Sequence, residues 1–63
     1  MHIEHRYLTE REVADLIGRS AGSLRNDRLY KRGIPYVKLG RSVRYSLRDI
    51  ITFVESRKVL TAD

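Results

Sequence analysis

Gly18-Arg19-Ser20 leaves the chain three residues in which to end one helix and begin another. Upstream, Thr9-Glu10-Arg11-Glu12 has capping-box spacing, with the Thr9 hydroxyl accepting from the Glu12 amide while the Glu12 carboxylate reaches back. Leu8 before the cap and Val13 at the fourth helical position make a hydrophobic staple. Val13, Leu16 and Ile17 then lie on one face of a helix over about residues 10–17, which Gly18 ends. Downstream, Ser20 caps a second helix over about residues 21–31, stopped by Gly33 and Pro35. Leu24 is its buried anchor, and Leu29 or Tyr30 adds a second contact. Arg25, Asn26 and Arg28 cannot all share the face of Leu24, so at least two of them point outward.

From Tyr36 to Tyr45 the chain alternates with period 2 on both sides of Gly40, which reads as a β-hairpin over about residues 36–45. A three-residue loop, Gly40-Arg41-Ser42, pairs Leu39 with Val43 and Val37 with Tyr45 on one face, and sets Lys38 opposite Arg44 on the other. Like charges paired across strands are unfavourable alone and become favourable beside a polyanion. Ser46 caps a third helix over about residues 47–57, with Asp49 at its third position and Tyr45 and Ile50 as a second staple. Leu47, Ile50, Ile51 and Val54 make its core stripe, and Phe53, at the stripe's edge, is the candidate for self-association.

Charge is distributed unevenly along these elements. The net +5 of 63 residues conceals a segment, residues 19–45, with eight Lys and Arg against Asp27 alone, a net of +7. Such a bias fits a phosphate-facing surface better than an interspersed, solvated one. A 63-residue chain buries too thin a core to enclose a catalytic cavity, so no enzyme is expected. Cysteine is absent, which removes disulfides, thiolate metal sites and Cys nucleophiles. His2, Glu4 and His5 sit at the terminus without further ligands, so no metal or other cofactor is expected. The longest nearly apolar run, residues 50–54, falls far short of a bilayer span, and the first residues lack a signal-peptide core. The chain therefore reads as one soluble domain over residues 1–63, frayed at about 1–6 and 59–63.

Two short helices, a hairpin and a third helix describe a mostly α fold with a small β-hairpin, the winged helix-turn-helix. The chain resembles the small excisionase-like proteins of phages and mobile elements, which are similar to the DNA-binding half of MerR-type regulators. The resemblance is carried by Leu8-Thr9, Glu12-Val13-Ala14, Leu16 to Ser20, Ser23-Leu24-Arg25-Asn26, Gly33 to Arg41, Val43-Arg44-Tyr45 and Asp49-Ile50. Where relatives often carry an aromatic residue this chain has Asp27, which leaves Tyr30 as the substitute ring.

In a helix-turn-helix the second helix enters the major groove by its N-terminus. Ser20 and Ser23, with the amides around them, suit a backbone phosphate, and Arg19 is a further phosphate contact. Arg25 and Asn26 can read base edges bidentately, and Arg28 contacts phosphate or base. The resemblance implies that the wing, with Lys38, Arg41, Ser42 and Arg44, lies along the neighbouring backbone or minor groove, Arg41 at its tip. It also implies a protein of the bacterial cytoplasm that does no chemistry. An excisionase would coat and bend DNA cooperatively so that a separate integrase can excise the element. The other reading is a small transcription regulator at a promoter operator.

Overall fold

The computed structural model describes residues 6–60. The His2–Glu4–His5 group and most of the termini expected to fray lie outside them. Strand β1 (Tyr7–Thr9) leads directly into helix α1 (Glu10–Ile17), followed by α2 (Ala21–Leu29), strands β2 (Val37–Leu39) and β3 (Ser42–Ser46), and α3 (Leu47–Ser56). This is the winged helix-turn-helix the sequence implies. Among the described residues no helix is long and apolar enough to cross a membrane.

The helix starts follow their caps. Thr9 Oγ1 accepts from the Glu12 amide at 3.1 Å and Glu12 Oε1 accepts from the Thr9 amide at 2.8 Å, completing the capping box. Ser20 and Ser46 accept from the amides of Ser23 and Asp49 at 3.0 and 3.1 Å. Gly18 closes α1 in the left-handed region. Helix α2 ends two residues earlier than the sequence reading, because Lys31 and Gly33 both take positive φ and the Arg32 amide turns back to the Asp27 carbonyl. The third helix ends at Ser56, one residue early, with Arg57 as its cap.

One strand escapes the sequence reading. β1 is only three residues long and pairs antiparallel with β3, giving the sheet order β1-β3-β2. Arg6, expected to fray, is tied down by its carbonyl, which accepts from the Leu47 amide at 2.8 Å. Val59 and Leu60 follow α3 as exposed chain.

The wing differs in register. Gly40 and Arg41 form a two-residue turn, so Leu39 faces Ser42, Lys38 faces Val43 and Val37 faces Arg44. Gly40 takes φ 64° at the first central position, where a primed hairpin turn accommodates glycine. A slip of one residue moves a strand's side chains to the other face. Lys38 therefore shares the inner face with Val43 and Tyr45 instead of opposing Arg44, while Val37 and Leu39 join Arg44 on the outer face and are exposed.

The core is one cluster of Leu8, Val13, Ala14, Leu24, Ile34, Tyr45, Leu47 and Ile50, with Ile17, Val43 and Phe53 packed against it. Several residues expected inside are outside. Leu16 is exposed because Ala14 takes the core position beside Val13. Leu29 and Tyr30 are exposed, Leu29 because it follows Arg25 and Asn26 on the outward side of α2, and Ile34 beyond the turn joins the core instead. Ile51 and Val54 are half-exposed. Tyr30 does not replace a missing ring at Asp27, whose carboxylate is itself buried and bridged by Arg19 and Arg32, both at 3.1 Å.

Gly33 lies against that carboxylate: a Cβ there would come 2.9 Å from Asp27 Cβ, at φ 87°. Gly33→Ala is expected to cost more than about 1 kcal/mol in urea unfolding, whereas Gly22→Ala, whose Cβ meets nothing nearer than 3.9 Å, is neutral or stabilising. The hydrogen bond from Arg32, opposed by desolvation and helped by Arg19, holds the Asp27 carboxyl below its ordinary range. The Thr9 amide does the same for Glu12, against a smaller desolvation effect. Both groups are depressed in the folded state, so their stabilisation is complete above their unfolded values and is lost on acidification. The thermal midpoint should fall between about pH 5 and about pH 3, and Asp27→Asn should lower it at neutral pH while flattening that fall.

Candidate nucleic-acid interface

Helix α2 presents one outward stripe. Gly22, Arg25, Asn26 and Leu29 are all exposed and follow i, i+3, i+4, i+7 spacing. Leu24 and Asp27 are buried behind them and fix the helix's rotation. Arg25 and Asn26 are thus the two outward residues of the trio weighed in the sequence, and Arg28 is the one turned inward.

A polar cleft of about 300 Å³ lies between the first turn of α1, helix α2 and the wing. Thr9, Glu10, Arg11, Arg25, Arg28, Arg41, Val43 and Arg44 line it. Five arginines surround one carboxylate. Glu10 Oε2 pairs with Arg25 Nη1 at 3.0 Å, and Glu10 Oε1 with Arg28 Nη2 at 2.8 Å. Arg28 also donates to the Tyr45 hydroxyl at 2.6 Å, and its guanidinium lies over the Tyr36 and Tyr45 rings. Burial pushes this guanidinium toward the neutral form, but its hydrogen bonds to Tyr45 and Glu10 outweigh that and hold it more firmly charged.

The remaining site residues divide by location. Arg41 is exposed at the wing tip, Ser42 follows it, and Arg44 shares their outer sheet face while donating to the Val43 carbonyl at 2.8 Å. Lys38 is exposed on the inner face. Ser20 is engaged as the α2 cap, and Ser23 accepts from Arg19. Arg19 is drawn toward Asp27 and lines a second groove with Phe53 of α3 and with Arg57 and Lys58 just after it. Lys31 and Arg32 border a third groove with Pro35 and Tyr36. The cations of residues 19–45 therefore do not form one surface: Arg25, Arg28, Arg41 and Arg44 converge, and Arg19, Lys31 and Arg32 lie elsewhere.

Two charged residues of the cleft, Glu10 and Arg11, carry no site signal in the sequence. Arg11 belongs to the acidic segment and looks like a helix-surface residue, and Glu10 looks like a first-turn acid complementing the helix dipole. Their place in the cleft depends on contacts at long sequence separation. Leu29, one of the two alternatives for a second core contact, has the spacing from Gly22, Arg25 and Asn26 that marks the outward stripe.

An exposed stripe on the second helix, a wing beside it and an arginine-lined cleft between them define a DNA-binding winged helix-turn-helix protein. The family model described as a helix-turn-helix domain matches residues 7–58, and the chain belongs to that family. No curated protein and no solved structure matches the chain.

The two kinds of arginine should separate in a folding assay. Arg28→Ala strands the Tyr45 hydroxyl and half of the Glu10 carboxylate, and is expected to cost roughly 2 kcal/mol of unfolding free energy. Arg41→Ala, at the exposed turn, should stay within about 0.5 kcal/mol of the parent. Equal unfolding midpoints for the two variants would contradict the structural role given to Arg28.

Proposed function

We propose that the chain binds duplex DNA sequence-specifically, without catalysis, as an architectural accessory that helps a separate integrase excise a phage or mobile element in the bacterial cytoplasm. The observation carrying the DNA reading is the meeting of Arg25, Arg28, Arg41 and Arg44 in one cleft beside the outward face of α2. In this reading α2 enters the major groove and Arg25 and Asn26 face base edges, with Leu29 available to a thymine methyl group. Ser20, Ser23 and Arg19 attend the phosphate at the start of α2. Arg41, Ser42, Arg44 and Lys38 track the backbone beside the wing. Arg28 acts chiefly as a brace, adding positive potential from behind.

A module of this size buries roughly 600–1,000 Å² on DNA, so neighbouring copies or a partner must add affinity. The architectural role is supported by the excisionase resemblance and by a second, apolar surface formed by Leu16, Ile51 and Val54. The self-association first assigned to Phe53 shifts to this surface, since Phe53 is partly buried and its ring lies under the Arg57 guanidinium, 4.8 Å away. A transcription regulator would need only the DNA face.

About five phosphate contacts should give a log K against log salt slope of about −4.5. Arg41→Ala should weaken cognate and random duplexes alike, while Arg25→Ala also erodes the preference between them. Footprinting on the source element should show several phased sites beside a recombination core, and excision by the integrase should require the protein. A salt-independent affinity would sink the DNA reading. A single operator over a promoter, with excision unaffected, would replace the accessory role with regulation.

A further inference from the structure

Glu10 is the one acidic side chain among the described residues that line the arginine-rich cleft, and the DNA reading leaves it without a task. Its position is well defined. It is the first residue of α1, immediately after the Thr9 cap, and its side chain is only 21% exposed. One carboxylate oxygen engages Arg28, which is itself fixed by the Tyr45 hydroxyl and the rings of Tyr36 and Tyr45; the other engages Arg25, whose side chain is 63% exposed. Arg28 would be held in place by its other contacts. Arg25 makes no other ion pair or side-chain hydrogen bond among the described residues, so Glu10 is its tether.

Two physical consequences follow. An exposed arginine free to rotate will meet whichever phosphate is nearest, whereas one held at Nη1 presents its remaining donors in a restricted direction. The carboxylate also repels phosphate from a cleft it lines together with Arg11, Arg25, Arg28, Arg41 and Arg44, which would otherwise attract any polyanion. Both effects work against generic backbone binding and favour base reading.

We propose that Glu10 is a specificity-determining residue, a positioning residue that acts through Arg25 to aim it at a base edge and keeps phosphate out of the cleft. This rests on the DNA reading above. The test first enriches a preferred duplex from a randomised pool with the parent protein, then measures affinity for that duplex and for the unselected pool at several salt concentrations. For Glu10→Gln the expected result is about threefold tighter binding to the unselected pool, about a tenfold loss in the ratio of preferred to unselected affinity, and a salt slope steeper by about one. In an Arg25→Ala background, Glu10→Gln should leave the ratio unchanged, because the residue it acts through is gone. Glu10→Asp, which keeps the charge on a shorter arm, should retain weak binding to the pool yet lose part of the ratio.

An unchanged ratio and slope in Glu10→Gln would overturn the proposal while leaving DNA binding intact. So would parallel weakening on both duplexes that tracks a lower unfolding midpoint and recurs in the Arg25→Ala background. If the parent enriches no duplex, the DNA reading falls, and this role for Glu10 falls with it.

Discussion

The guanidinium of Arg28 is where three elements meet. It joins α2 to the first turn of α1 through Glu10 and to the central strand through the Tyr45 hydroxyl. Tyr45 is 1% exposed and its partner across the sheet is Leu8, so the polar junction sits directly on the apolar cluster. A charge this shielded is tolerable only with its hydrogen bonds in place. The angle between the two helices of the motif and the distance of α2 from the wing both depend on this junction.

Asp27 performs a comparable task at the other side of α2. Its carboxylate collects Arg19 from the turn before the helix and Arg32 from the turn after it, and Gly33 closes against it. A polar clasp thus holds together the turns on either side of α2. Beyond the clasp Ile34 completes the core, while Leu29 and Tyr30 stay exposed. Four of the eight cations between residues 19 and 45 are paired by two carboxylates, so the surface offered to a polyanion is smaller and more directional than the charge count implies.

What was legible in the sequence was local. Thr9, Ser20 and Ser46 announce helix starts because a capping hydroxyl meets an amide only three residues on, and Gly18 ends a helix by its own backbone. The family-level architecture followed from those signals and their order. The wing register was not legible, since two- and three-residue turns around Gly40 fit the same alternation and differ only in which side chains reach the core. β1 was hidden because Tyr7–Thr9 is a strand only by pairing with β3. The destinations of Arg19, Arg28 and Arg32 were hidden for a related reason. A cation's sequence position gives its charge, but not whether a carboxylate such as Glu10, 18 residues from Arg28, will claim it.

Both strand-to-helix junctions on this chain lack a loop. Thr9 is the last residue of β1 and the cap of α1, and Ser46 is the last residue of β3 and the cap of α3. Since β1 and β3 are paired to each other, the two helices are mounted on one plate without hinges. The strand that carries the wing turn therefore runs straight into the α3 cap at Ser46, with no loop residue between them.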